Sequence, residues 1–235
     1  MKLDLRKIPA IYINLDRHEE KNKSMRDLLK QCGFENIIRV KGCDRPDNPA
    51  AGIAKSQYDA MREIDPPFII FEDDCAINKF RYEIEIPDDA DAVHLGISQW
   101  ARYLNFSGPF VHYKVIDDSI VKIYNMLAAH AVLYLSKNYV DICSRVADYW
   151  HSIEEPFDVG ITEIQKYYNV YAMNNPFFKQ NSYNEKVTSC KVTDVGIDVS
   201  KSSEFFDRVK YDLSKLQEYK DLNDVSSIYY PLKMV

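Results

Sequence analysis

Glycine is sparse in this chain, seven in 235 residues, and no Gly-rich stretch follows the first apolar run. A nucleotidyltransferase that makes nucleotide-sugars needs such a stretch to cradle phosphates on backbone N–H groups, so that reading is disfavoured. Cysteine is equally uninformative as a scaffold. Cys32, Cys43, Cys75, Cys143 and Cys190 are odd in number, widely spaced and free of any C-x-x-C pair. That is the pattern of reduced thiols in a cytosolic protein, not of a disulfide framework or a zinc site. No run of roughly 18 apolar residues occurs, so no bilayer span is expected. The opening MKLDLRKIPA lacks the apolar core of a signal peptide, and the expected location is cytoplasmic. Positive charge is short as well: 30 Lys and Arg stand against 36 Asp and Glu, for a net charge of −6. Neither nucleic acid, which asks for a basic face, nor an anionic membrane surface is an expected partner.

Hydrophobic residues make up 46% of the chain, enough for a sizeable core. Ala10 to Leu15 is a short apolar run rich in β-branched and aromatic residues, which predicts a buried strand. Asp16 with Glu19 three residues on forms a capping-box pattern, and a helix then runs to Gly33. Ile37 to Val40 predicts a second strand, Pro49 to Ile64 a second helix, and Phe68 to Phe71 a third strand. Strand, helix, strand, helix, strand is the signature of a parallel α/β sheet. Further on, two runs flanking Asp117-Asp118 read as a hairpin. Ala129 to Leu135 reads as another buried strand, and helices are predicted from about Lys137 to Trp150 and from Phe157 to Tyr168. Val170 to Met173 follows as a short strand. The segment beyond Gln180 is polar and irregular, with one amphipathic helix around Ser203 to Tyr219. The expected organisation is one catalytic domain over residues 1–180 with a C-terminal extension over 181–235 packed on it.

The segment FIIFEDD is the most informative. Ligands of parallel α/β sheets collect at the carboxyl ends of strands, and Glu72, Asp73 and Asp74 leave such an end directly. Three carboxylates there repel one another unless something neutralises them. A hard divalent cation does so, and Mg²⁺ or Mn²⁺ typically takes one or two protein carboxylates plus substrate phosphates. Side chains alternate in an extended segment, so Glu72 and Asp74 share one direction and Asp73 takes the other. The metal is therefore assigned to Asp74 with Glu72, and Asp73 to the ribose or the sugar. A solvated acidic turn is the plain alternative.

Four segments in order resemble glycosyltransferase family 25, the lipooligosaccharide and procollagen galactosyltransferase group with a GT-A fold. They are Ile13-Asn14-Leu15-Asp16-Arg17, the helix start Gly52-Ile53-Ala54-Lys55-Ser56-Gln57, the triplet Glu72-Asp73-Asp74, and Val132-Leu133-Tyr134-Leu135-Ser136 before a helix. The family's usual His is replaced by Gln57. The resemblance implies a UDP-sugar donor. Ile13, Asn14 and Arg17 would lie beside its base and ribose, and Lys55 and Ser56 near the nucleotide or diphosphate. It also implies a metal-dependent hexosyl transfer to a glycan or glycoprotein hydroxyl.

An acceptor hydroxyl loses its proton as it attacks, which calls for a general base. Asp158 is the candidate, ahead of Glu155, with a helix N-cap as its plain alternative. Trp100, Tyr103 and Phe106 are candidates to wall a sugar site. His94 and His130 read as core residues, and His112 reads as exposed. The rival from another class is a GT-A-like domain that binds nucleotide or carbohydrate without turnover. A phosphoacceptor receiver domain is disfavoured, since its acidic pair follows the first strand.

Overall fold

The computed structural model describes residues 1–103, 106–108, 111–181 and 188–201. The chain opens with β1 (Lys2–Asp4), followed by β2 (Ala10–Asn14), α1 (Glu19–Gln31), β3 (Ile37–Lys41), α2 (Pro49–Met61) and β4 (Phe68–Glu72). Strand β2 lies between β3 and β4 and is parallel to both, as the βαβαβ pattern predicts. Next come β5 (Cys75–Ile77), β6 (Glu83–Glu85), β7 (Ala92–His94), β8 (Ala101–Tyr103), β9 (Phe106–Gly108), β10 (Val111–Val115), β11 (Ile120–Asn125) and β12 (Ala131–Tyr134). Helices α3 (Lys137–Ser152) and α4 (Phe157–Gln165) precede β13 (Val170–Met173), β14 (Phe178–Gln180) and β15 (Gly196–Asp198).

The central sheet has the order β15-β10-β11-β13-β7-β12-β4-β2-β3. Its strands run one way except β11 and β12, each antiparallel to both of its neighbours. Short antiparallel pairs, β1 with β6, β5 with β14 and β8 with β9, lie outside it. This is a mixed α/β architecture with a mainly parallel sheet. The edge strand β15 comes from beyond residue 180, so the sheet itself draws on the segment read as an extension.

Both faces of the sheet are covered, which explains the unbroken apolar run of β4. Phe68 and Ile70 join the core cluster that includes Ala54 of α2, Ile142 of α3 and Ile161 of α4. Ile69 and Phe71 join the opposite cluster with Met25 and Leu29 of α1. A strand buried on both faces needs apolar residues at every position, and the alternation of side chains sends them to two separate cores.

Several local expectations are corrected. Helix α1 is capped at His18, not Asp16. Asp16 is drawn off by Arg39 and Lys41 of β3, each at 2.6 Å, so the ion pairs win over the capping box. Helix α4 is capped at Pro156, which puts Asp158 in the first turn instead of at the cap. His112 is buried, because β10 lies between β11 and β15 in the sheet. The helix read at Ser203 to Tyr219 lies outside the described residues.

Candidate active site

The triplet sits where the sheet topology concentrates strand ends. Glu72 is the last residue of β4, beside Ile13 and Asn14 of β2, and its N–H donates to the carbonyl of His130 at 3.1 Å. Asp73 turns toward α1. It accepts hydrogen bonds from Asn14 Nδ2 at 2.8 Å and Lys21 Nζ at 3.0 Å. Asn14 is itself buried and accepts from Arg39 Nε at 3.3 Å. Asp73 is therefore well satisfied by the protein.

Its two neighbours are not. Asp74 Oδ1 is buried without a hydrogen-bond partner. Burial pushes the Asp74 carboxyl above its ordinary range, against the pull of the Lys21 charge. Glu72 keeps an opening to the cleft but is enclosed by protein. Its pKa is pushed up to about 8 by that burial first, and then by the charges of Asp74, Asp158 and Asp73. Gln57 faces Glu72 and favours its ionised form, yet both polar atoms of the Gln57 amide are buried without a hydrogen-bond partner. Asp158 is also pushed up by burial, and its Oδ1 accepts from the Val159 N–H at 3.0 Å.

Two cavities meet at this cluster. The first, of about 350 Å³, lies between β2, α1 and α2 and is lined by the acidic triplet with Ile13, Asn14, Arg17 and Ser56. The second, of about 450 Å³, runs toward α4 and is lined by Asp158, Trp100, His130 and Gln180 among others. Glu72 and Ile53 line both.

Most of the residues picked out in the sequence are thus brought together, with changed roles for some. Arg17 lines the first cleft, where it pairs with Asp44. Ser56 is engaged internally: its hydroxyl donates to the Gly52 carbonyl at 2.7 Å and accepts from the Cys43 N–H at 2.8 Å, fastening the β3–α2 loop to its helix. Lys55 lines neither cavity. Its ammonium is held by Asp59 one turn on and lies over the Tyr58 ring, so the helix turns it away from the cleft. Tyr103 and Phe106 belong to the β8–β9 hairpin, and their side chains lie outside the described residues.

Among the described residues, no group of three or more His, Cys, Asp or Glu side chains converges to hold an ion. Glu72 and Asp74 supply a smaller set, which suits an ion that takes one or two carboxylates and completes its shell with substrate phosphates. The orphaned, buried Asp74 Oδ1 fits such an ion, because an unpaired buried charge is costly and a cation at that atom removes the cost. Gln57 and Lys21 were missed in the sequence. Gln57 had one signal, its place at the family's His position. Lys21 had none, because its partner Asp73 is 52 residues away.

No family model matches the chain, and no curated protein matches it. Among solved structures, CTP:phosphocholine cytidylyltransferase from Streptococcus pneumoniae is similar at 10% identity over 77% of this chain and 96% of that one, with a TM-score of 0.40. A likeness this distant says nothing about activity. Among the described residues, no helix is long and apolar enough to cross a membrane.

Proposed function

We propose that this protein is a metal-dependent glycosyltransferase that binds a UDP-hexose in the first cleft and passes the hexose to a glycan or glycoprotein hydroxyl in the second cavity. The observation that carries this reading is the place of Glu72. It is an enclosed carboxylate beside the orphaned Asp74, at the junction of two cavities, with Asp158 across from it. Glu72 and Asp74 would hold Mn²⁺ or Mg²⁺, which would act as a Lewis acid on the departing diphosphate.

The remaining roles belong to the chain itself. Ile13 offers an apolar edge to the base. Asp73, fixed by Asn14 and Lys21, offers a carboxylate to the ribose or the sugar. Asp158 accepts the acceptor's proton, and its raised pKa moves it toward neutral working pH, where a base acts best. Asp158 lines the second cavity and not the first, the place of the lone general base in an inverting transfer.

The direct test is thermal unfolding with UDP, with and without Mn²⁺, and again with a chelator. At a hundredfold excess over Kd, binding adds about 2.7 kcal/mol, a rise of roughly 5 to 10 °C for a chain of this size. The expected rise needs UDP and Mn²⁺ together. GDP or CMP acting in place of UDP would change the donor. The absence of a shift with any nucleotide would sink the proposal.

A further inference from the structure

The cavity beside α4 differs in chemistry from the nucleotide cleft. The first cleft is ringed by Arg17, Lys21 and Arg45 as well as by carboxylates. Among the described residues lining the second, none is Lys or Arg. Its His130 is buried and held neutral, with its pKa pushed down to about 4 by that burial. Among the described residues lining the space, the carboxyl groups are those of Glu72 and Asp158, and the first of these is shared with the nucleotide cleft.

The walls add shape to this charge pattern. Trp100 is 37% exposed, unusual for an indole, which is costly to leave in water. It lines the cavity. Ile53, 51% exposed on α2, forms another apolar border. Ser98, Gln180 and Asp158 supply polar groups between these borders. An apolar plate with hydroxyl, amide and carboxylate groups close by suits a ring that has one apolar face and a hydroxylated rim.

We propose that this cavity is a binding site for an uncharged pyranose, stacked against Trp100 with its hydroxyls directed to Asp158, Ser98 and Gln180, and that it rejects anionic sugars. The inference deepens the glycosyltransferase reading by naming the acceptor class, an uncharged sugar terminus. Rejection of anions follows from the lining: a uronate carboxylate would face the buried Asp158, with no Lys or Arg among the described lining residues to pair with it and with any ion at Glu72 and Asp74 already taken up by those carboxylates and the diphosphate. An unpaired charge in such a space is unfavourable, and a like charge nearby adds to the cost.

The test is a calorimetric titration of the full chain with methyl hexopyranosides and the matching methyl hexuronosides, each with and without UDP and Mn²⁺. Thermal unfolding with UDP and Mn²⁺ is read on the same samples. Binding of a neutral glycoside, at least about tenfold tighter than its uronate, is expected. Trp100→Ala should weaken the neutral glycoside by about two- to tenfold, the range of an aromatic stacking contact, while leaving the UDP and Mn²⁺ shift unchanged. Asp158→Asn should narrow the gap between neutral and uronate sugars, a readout that holds even if Trp100→Ala fails to fold. Equal binding of uronate and neutral sugar, no binding by any glycoside in the panel, or an unchanged gap in Asp158→Asn overturns the inference. A UDP and Mn²⁺ shift in those cases leaves the glycosyltransferase reading standing. Neutral-sugar binding without any nucleotide shift keeps the inference and removes the transferase.

Discussion

At the scale of single residues, three consecutive carboxylates are sorted by what the fold places beside them. Asp73 is given Asn14 and Lys21, Asp74 is left with a buried oxygen unpaired, and Glu72 is enclosed among other acids. Sequence alternation set Asp73 against the other two on the premise of an extended chain, but β4 ends at Glu72 and Asp73 and Asp74 form a turn, where a period of two no longer applies. It could not say which side would be satisfied. That depends on Lys21, in the first turn of α1, meeting a residue far along the chain. The sorting gives separate expectations. Asp74→Asn should abolish the Mn²⁺-dependent part of the UDP thermal shift, because the neutral amide lacks the carboxylate charge that such an ion takes from the protein. Asp158→Asn should leave that shift intact and stop hexose transfer, measured as release of UDP in the presence of acceptor. Transfer at the native rate in Asp158→Asn would remove it as the base.

At the scale of elements, what was legible followed the strength of the local pattern. The β2-α1-β3-α2-β4 run was readable because strands with two buried faces are continuously apolar and helices carry their own period. The hairpin around Asp117-Asp118 was readable from two apolar runs and a polar turn, and Asp117 indeed accepts from the N–H groups of Ser119 and Ile120. The start of α1 was misread because Arg39 and Lys41, on a neighbouring strand, outbid the local cap for Asp16. The burial of His112 was missed because β15, from a segment that looks irregular, covers the edge of β10. One close approach between elements shapes the nucleotide cleft. A Cβ built on Gly52 of α2 would lie 2.6 Å from the Cys43 carbonyl oxygen in the loop after β3. Alanine in a helix interior ordinarily gains about 1 kcal/mol over glycine. Here the contact is with backbone, and overpacking of this kind costs about 1–3 kcal/mol. Gly52→Ala should therefore lower the thermal midpoint, and it should weaken UDP binding because Cys43 and Gly52 both line the cleft. A rise in the midpoint would mean that the β3–α2 loop yields freely.

At the scale of the whole molecule, two sets of buried titratable groups oppose each other in their effect on stability. Burial lowers His94 from 6.5 to about 3, and His112 and His130 from 6.5 to about 4. The folded state keeps these rings neutral while the unfolded chain protonates them, so stability is lost as pH falls below 6.5 toward those values. Glu72 has the reverse sign. Its pKa rises from 4.5 to about 8, so the folded state holds a proton that the unfolded chain has released. Its contribution is complete below pH 4.5 and is lost as pH climbs toward about 8, and Asp74 and Asp158 are shifted in the same direction. Between 4.5 and 6.5 the three imidazoles oppose the carboxyls, and above 6.5 the carboxyls act alone. The thermal midpoint of the metal-free protein should therefore peak near pH 6.5 and decline toward pH 8. Glu72→Gln should flatten the alkaline limb, because an amide has no proton to lose. Mn²⁺ with UDP should reverse that limb in the native chain, since the ion binds the ionised carboxylate and gains affinity as the proton leaves. An alkaline limb that persists unchanged in Glu72→Gln would place the ionisation elsewhere. Mn²⁺ with UDP failing to act on the limb in the native chain would separate Glu72 from the metal.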